Sequence, residues 1–320
     1  MSDESIVTVA IPVLNGGELL GRTLDAVSRQ ALAREVELLV ADSGSSDGSR
    51  ERASSAGARV LELDRADFGH GATRNLLLRE SRGAHVALLT QDAEPADEHW
   101  LARLLAGFEQ ADDVALVYGP YLPRSDASPA VRRELERWFG TLRPGVERLS
   151  SSERDLPAVE LMGRRGFFSD ANAAVARAAW ERVPFREIAY AEDRALALDM
   201  LRAGYAKVYE PAAAVLHSHE YGAVQRFRRA FDEWQGLHDV YGWREPATPR
   251  RLLSQLRGEL GPLRREGAGP ATLARAAADG LIRYGGAVLG SRGASLPGAL
   301  QRRLSLEGRA SAPARRRPAR

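Results

Sequence analysis

Cysteine is missing from this 320-residue chain. Its absence excludes disulfides, thiolate zinc sites and a cysteine nucleophile, and it suits a reducing compartment. Lysine is nearly missing too, with Lys207 the sole example. No apolar run reaches the roughly eighteen residues a transmembrane helix needs. The opening residues Met1-Ser2-Asp3-Glu4 are acidic and lack a basic n-region, so no secretory signal is expected and the protein is placed in the cytoplasm. A net charge of only +2 argues against a surface built throughout for nucleic acid. The common phosphate-binding glycine loops are absent as well. Gly69-His70-Gly71-Ala72-Thr73-Arg74 fails the dinucleotide pattern at its last position and does not follow the first strand, and there is no GxxxxGK followed by Ser or Thr.

What is present is an alternation of strand and helix. Residues 6–12 form a short apolar, β-branched run that reads as a buried strand. Asn15 is expected to cap a helix whose stripe is Leu20, Leu24, Val27 and Ala31. Further strands are expected at residues 36–41, 59–63, 85–90 and 114–118, with helices at 72–81 and 98–109 between them. Such alternation implies an α/β fold with a mostly parallel sheet covered on both faces. Ligands of these sheets lie beyond the carboxyl ends of the strands, where Pro12, Asp42 and Asp92 fall. Residues 130–142 read as a helix, and the polar stretch 143–157 as a mobile insertion facing an acceptor. Residues 192–203 form an apolar-striped helix stopped by Gly204.

Four clusters carry possible chemistry. Asp42, followed by Ser43-Gly44-Ser45-Ser46-Asp47-Gly48, either caps the next helix or accepts hydrogen bonds from a nucleotide base or ribose. Thr90-Gln91-Asp92-Ala93-Glu94 is either an acidic turn or an oxygen donor to Mg²⁺ or Mn²⁺. His217 and His219, two apart, share a face if they lie on a strand, which allows either a metal or a structural role. Glu192-Asp193 opens a helix, where a carboxylate complements the helix dipole or serves as a general base.

In order along residues 7–222 run Ile11-Pro12-Val13-Leu14-Asn15, Val40-Ala41-Asp42-Ser43-Gly44-Ser45-Ser46-Asp47-Gly48, Gly71-Ala72-Thr73-Arg74-Asn75, Leu89-Thr90-Gln91-Asp92, Phe168-Ser169-Asp170-Ala171-Asn172, Glu192-Asp193 and His217. This series resembles the inverting family-2 glycosyltransferases, and Phe68-Gly69-His70-Gly71-Ala72-Thr73-Arg74-Asn75 with Thr90-Gln91-Asp92-Ala93 resembles their rhamnosyltransferase branch. The resemblance implies a GT-A-type, Rossmann-like, mostly parallel sheet flanked by helices, with a C-terminal helical extension. It implies that Pro12, Asp42, Ser43, Arg74 and Asp92 hold a nucleotide-sugar donor. Asp92 with His217, His219 its rival, would bind Mg²⁺ or Mn²⁺. Asp193 would be the catalytic base with Glu192 beside it, and Asp170 and Asn172 would lie on the acceptor side. Thr90 replaces the first Asp of the family's DxD motif, which leaves Asp92 as the main carboxylate. The implied reaction passes a sugar, L-rhamnose from dTDP-L-rhamnose by branch, to a hydroxyl of a glycan or lipid-linked glycan in surface polysaccharide synthesis. The rival reading is a non-catalytic nucleotide-sugar-binding scaffold of a polysaccharide assembly complex.

The expected organisation is a catalytic domain over 1–222, its nucleotide-binding half about 1–120 and its acceptor-binding half about 121–222. A helical region then covers 223–309, and 310–320 is a disordered basic tail. Arg226, Phe227, Arg228, Arg229, Phe231 and Trp234 mix basic and aromatic residues, as Arg251, Leu252, Leu253, Leu256 and Arg257 mix basic and apolar ones. Three readings stand open for these helices: lying on the anionic inner face of a membrane, packing on the catalytic domain, or pairing two copies in a homodimer.

Overall fold

The computed structural model describes residues 3–308, so the expected tail at 310–320 lies outside the described residues. The chain divides into two compact units. One runs to Glu187 and resumes over Glu192–Glu220; the other takes Ile188–Ala191 and the chain from Tyr221 onward.

The first unit is built from β1 (Asp3–Val13), α1 (Gly17–Ser28), β2 (Glu35–Asp42), α2 (Ser49–Ser55), β3 (Arg59–Glu62), α3 (His70–Glu80), β4 (Gly83–Leu89), β5 (Glu94–Pro95), α4 (Trp100–Ala106), β6 (Val114–Tyr118), β7 (Tyr121–Leu122), α5 (Pro129–Phe139), β8 (Gly145–Glu147), α6 (Ser151–Arg154), β9 (Asn172–Ala176), α7 (Arg177–Trp180), α8 (Glu192–Arg202), β10 (Ala206–Tyr209) and β11 (Val215–Leu216). Eight strands form one sheet in the order β3-β2-β1-β4-β9-β6-β10-β8. The pairs β3/β2, β2/β1, β1/β4 and β6/β10 are parallel. Both faces are buried, which is why the strands read as near-continuous apolar runs. On one face Val9 and Ile11 of β1 meet Leu20, Leu24 and Val27 of α1 and Trp100 and Leu104 of α4. On the other, Leu39 and Ala41 of β2 meet Leu77 and Leu78 of α3 and Leu196 and Met200 of α8.

Two sequence expectations need correction. The first concerns Asn15, which does not cap α1. It adopts φ 51, and its Oδ1 accepts from the Ser46 backbone N–H at 2.9 Å. The unpaired N–H groups at the start of α1 are met from the junction of β2 and α2 instead. Ser49 Oγ accepts from Gly16 N and Asp47 Oδ2 from Gly17 N, each at 2.9 Å. Within this mostly parallel sheet, β9 runs antiparallel between β4 and β6. An apolar run encodes burial but not direction, so the reversal leaves no trace in periodicity. The second correction concerns the stretch read as a mobile insertion, which contains β8, paired antiparallel with β10 at the sheet edge, and α6, whose Ser150 and Glu153 form a capping box.

Lys207 on β10 is 1 % exposed. Its ammonium meets Glu147 of β8 at 3.0 Å and donates to the Phe167 carbonyl at 2.7 Å. Burial pulls its pKa down to about 8, against the opposing Glu147 charge. Gly119, just past β6, admits no side chain, because a Cβ would stand 1.8 Å from the Ala213 carbonyl oxygen.

The second unit is helical: α9 (Ala223–Tyr241), α10 (Pro249–Arg265), α11 (Pro270–Gly290) and α12 (Gly298–Leu304). Helices α9 and α11 approach closely where Gly286 and Gly290 face the backbone of Phe227 and Phe231. Ion pairs Arg226–Asp279 at 3.5 Å and Arg283–Glu259 at 2.6 Å tie the bundle together. Among the described residues no helix is long and apolar enough to cross a membrane.

Candidate active site

The reversed strand β9 assembles the site. Its first residue, Asn172, pairs with Leu89, the last residue of β4. Residues after β4 and residues before β9 therefore leave the sheet at the same edge. That edge receives Asp92 from one side and Asp170 from the other.

Asp92 is joined there by two imidazoles. A small sheet, with β11 between β5 and β7, delivers them. The strand ends at Leu216, so His217 and His219 follow it rather than lie on it, yet both reach Asp92. His217 Nδ1 is 3.5 Å from Oδ1 and His219 Nε2 is 3.3 Å from Oδ2. His217 is fixed by its backbone N–H donating to the Leu122 carbonyl at 3.0 Å and by an edge-to-face contact with the Tyr121 ring, centroids 4.9 Å apart. Burial pushes the Asp92 carboxyl up, but His217 and His219 outweigh it and hold the group below its usual range. Burial pushes His217 down, against the pull of Asp92, which favours the neutral imidazole that ligates metals.

The donor set fits a divalent ion. One ligand atom from each of Asp92, His217 and His219 lies within 4.8 Å of the others. Neighbouring ligands about 2.1 Å from an octahedral ion stand about 3 Å apart, close to the separations found.

The second cluster centres on Arg74 of α3, which is 3 % exposed. Its Nη2 donates to Asp170 Oδ1 at 2.8 Å, and its Nε contacts Asp170 Oδ2. Its Nη1 stands 3.1 Å from Glu192 Oε1 at the start of α8. His70 Nδ1 lies 4.0 Å from the same oxygen. Burial drives the Asp170 carboxyl well above its ordinary range despite Arg74. Asp193 keeps a partly exposed edge, but the protein crowding it and the negative charge of Glu192 raise its pKa to about 6. A carboxylate poised there accepts a proton near neutral pH and stays ionised at pH 7.

A continuous run of contacts joins the two clusters. Asp92 meets His217, His217 meets Tyr121, and the Tyr121 hydroxyl contacts Ser169 Oγ. Ser169 precedes Asp170, which binds Arg74, which binds Glu192.

The third group lies at the ends of β1 and β2. Pro12 pairs with Ala41, one residue before Asp42. Asp42 does not cap α2, which starts after Gly48. Its Oδ2 accepts from the backbone of Gly44 at 3.2 Å and Ser45 at 3.0 Å. Its Oδ1 and the Ser43 Oγ are buried without a partner. Buried acceptors of this kind call for a donor, such as the N–H of a base. Gln91, which sequence reasoning overlooked, bridges this group to the metal cluster: its amide accepts from Leu14 N at 2.8 Å and donates to Leu14 O at 3.2 Å.

Three expected roles change. Arg74 is sealed between Asp170 and Glu192, so its charge neutralises carboxylates rather than facing a base or diphosphate. Asp170 is 4 % exposed and turned to Arg74, not toward an acceptor. Asn172 is fully buried. Its Oδ1 accepts from Trp100 Nε1 at 2.8 Å, and its Nδ2 donates to Ala213 O at 2.8 Å and Pro120 O at 3.1 Å. Every polar group of that amide is engaged in the core, so it cannot contact an acceptor.

A family model described as glycosyl transferase family 2 matches residues 8–182. The chain is 33% identical over 231 residues to the O-antigen chain rhamnosyltransferase RfbN of Salmonella typhimurium, covering 71% of this chain and 70% of the relative. It is 31% identical over 229 residues to the O-antigen chain rhamnosyltransferase WbaN of Salmonella anatum, covering 70% of each. Among solved structures, the mannosyltransferase PcManGT of Pyrobaculum calidifontis, in complex with GDP-Man and Mn²⁺, superposes with a TM-score of 0.59 at 19% identity, over 89% of this chain and 86% of that one. The fold they share is GT-A, a mostly parallel sheet flanked by helices.

Proposed function

Since the chain belongs to glycosyl transferase family 2, we propose that it transfers L-rhamnose from dTDP-L-rhamnose to a hydroxyl of a glycan or lipid-linked glycan, with inversion at the anomeric carbon. The likeness to two O-antigen chain rhamnosyltransferases supports the choice of sugar. The observation that carries the reading is Asp193, its pKa raised to about 6, next in sequence to Glu192, from which contacts run through Arg74, Asp170, Ser169 and Tyr121 to the Asp92–His217–His219 triad.

Asp193 takes the proton of the acceptor hydroxyl as that oxygen attacks the anomeric carbon. The bond to the diphosphate breaks on the opposite face of the sugar, so no sugar–enzyme bond forms. Arg74, already engaged by Asp170 and Glu192, limits how much negative charge Asp193 feels. Asp42, through its unpartnered Oδ1, and Ser43 bind the base and ribose beside Pro12. Asp92, His217 and His219 would hold a divalent ion that neutralises the leaving diphosphate. Two imidazoles in the donor set favour Mn²⁺ over Mg²⁺, which prefers oxygen. Residues 1–120 serve the nucleotide and 121–222 the acceptor. A base tuned toward neutrality favours catalysis over the non-catalytic scaffold, which has no use for one.

The test is a donor panel. Purified protein with Mn²⁺ is incubated with nucleotide sugars, and thermal shift and slow donor hydrolysis are read. dTDP-L-rhamnose should give the largest shift and be hydrolysed. A stronger response to another sugar overturns the donor, and no response to any nucleotide sugar overturns the activity.

A further inference from the structure

The helical unit carries an open groove of about 390 Å³ that the proposed transfer does not use. Its floor is apolar: Val224 and Phe227 of α9, Ile282 of α11 and Leu304 of α12. Its rim is cationic, with Arg228 and Arg303. Val224 is 65 % exposed, far more than burial of an apolar side chain would allow.

The charges around it are lopsided. Residues 221–308 hold fourteen arginines and eight carboxylates. Four of those carboxylates are committed inside the unit. Asp279 and Glu259 pair with Arg226 and Arg283, Glu245 pairs with Arg251, and Asp232 accepts from the Leu306 N–H at 2.7 Å. No carboxylate among the described residues pairs with Arg228 or Arg303. The groove therefore offers an apolar trough with two uncompensated guanidinium groups at its lip.

We propose that this groove docks the protein on a bilayer, taking the acyl chain of an anionic phospholipid whose phosphate is met by Arg228 and Arg303. An acyl chain is what an apolar trough buries favourably, and a phosphate is what a guanidinium binds by charge-assisted hydrogen bonds. The arginine-rich residues 309–320 are poorly suited to fill it, since their charge matches the rim's. A second copy is disfavoured too, because a two-fold contact would set each rim against its own like charges.

The experiment is co-sedimentation of the full chain with vesicles, without donor or acceptor, so it stands apart from the assignment of the reaction. Wild type should pellet with vesicles of equal parts phosphatidylglycerol and phosphatidylcholine, and remain in solution with phosphatidylcholine alone. Arg228→Gln with Arg303→Gln should weaken binding about twenty-fivefold, taking roughly fivefold per arginine near an anionic surface, and that loss should shrink at high salt. Val224→Gln with Leu304→Gln keeps every positive charge and should still weaken binding about tenfold, independent of salt. Circular dichroism should show unchanged helix in both. Wild type that ignores anionic vesicles overturns the proposal. Full binding by Val224→Gln with Leu304→Gln also overturns it, assigning attachment to arginines elsewhere. A wild-type dimer that these substitutions dissociate, with no vesicle binding, would give the groove to a second copy instead.

Discussion

The guanidinium of Arg74 stands 3.1 Å from the carboxylate of Glu192, pinning the second turn of α3 to the first turn of α8. Asp170 binds the same guanidinium, so one cation supports two buried anions, and the residue beside them, Asp193, inherits its electrostatic setting.

Removing that cation should be costly. Arg74→Met leaves Asp170 and Glu192 buried without a counter-charge, and breaking such a pair typically costs about 3–5 kcal/mol. Urea denaturation should show that loss. Adding Asp170→Asn should recover part of it, since one stranded charge is gone. A loss under about 1 kcal/mol would mean that Asp170 and Glu192 need no counter-cation.

Asp193→Asn should reduce turnover by about a hundredfold or more, as expected for loss of a general base, while calorimetry shows unchanged donor affinity. Wild-type turnover should climb as pH rises through about 6 and level off above, as Asp193 gives up its proton. Stability should move oppositely. A carboxyl whose folded pKa is raised contributes stability that is fully present below its unfolded pKa and is lost as pH rises through about 6. The Asn variant should therefore melt above wild type at pH 7.5, with the gap closing below about pH 4. A pH-independent gap would place the raised pKa elsewhere.

Chelation should abolish transfer, and Mn²⁺ should restore it better than Mg²⁺. Mn²⁺ should raise the wild-type melting temperature, since a ligand that binds only the folded state stabilises it. The shift should vanish in Asp92→Ala and shrink in His219→Ala. An undiminished shift in Asp92→Ala would remove Asp92 from the ion.

Asn172→Ala strands the Trp100 indole N–H and the Ala213 carbonyl, while the Pro120 carbonyl keeps the Val215 N–H at 3.1 Å. Each unsatisfied buried group costs about 1–3 kcal/mol, so chemical denaturation should show a loss of several. The acceptor KM of the molecules that remain folded should not move. A raised KM with unchanged stability would return Asn172 to the acceptor.

Much of the core was legible because its signals are local. The stripe Leu20, Leu24 and Val27 specifies the buried face of α1, and the run at residues 114–118 coincides with β6. His217 and His219 stood out as a close pair, although both follow β11 and so do not share a strand face. What escaped was long-range. Nothing near residue 172 in the sequence says that this strand runs against its neighbours, and nothing near Arg74 says that Asp170 will be its partner. Loop chemistry misled for a similar reason. Asn15 looked like a cap because caps are usually local, whereas Asp47 and Ser49 perform that task from about thirty residues away, where β2 gives way to α2.

The lone amine of Lys207 lies beneath the edge strand β8 and the Phe167 carbonyl. An amine-selective acylating reagent therefore finds one side-chain amine in the whole sequence, shut away until that border strand peels off. The rate of its modification times those openings, a clock for fraying at the rim of the sheet that the native sequence carries without any added label.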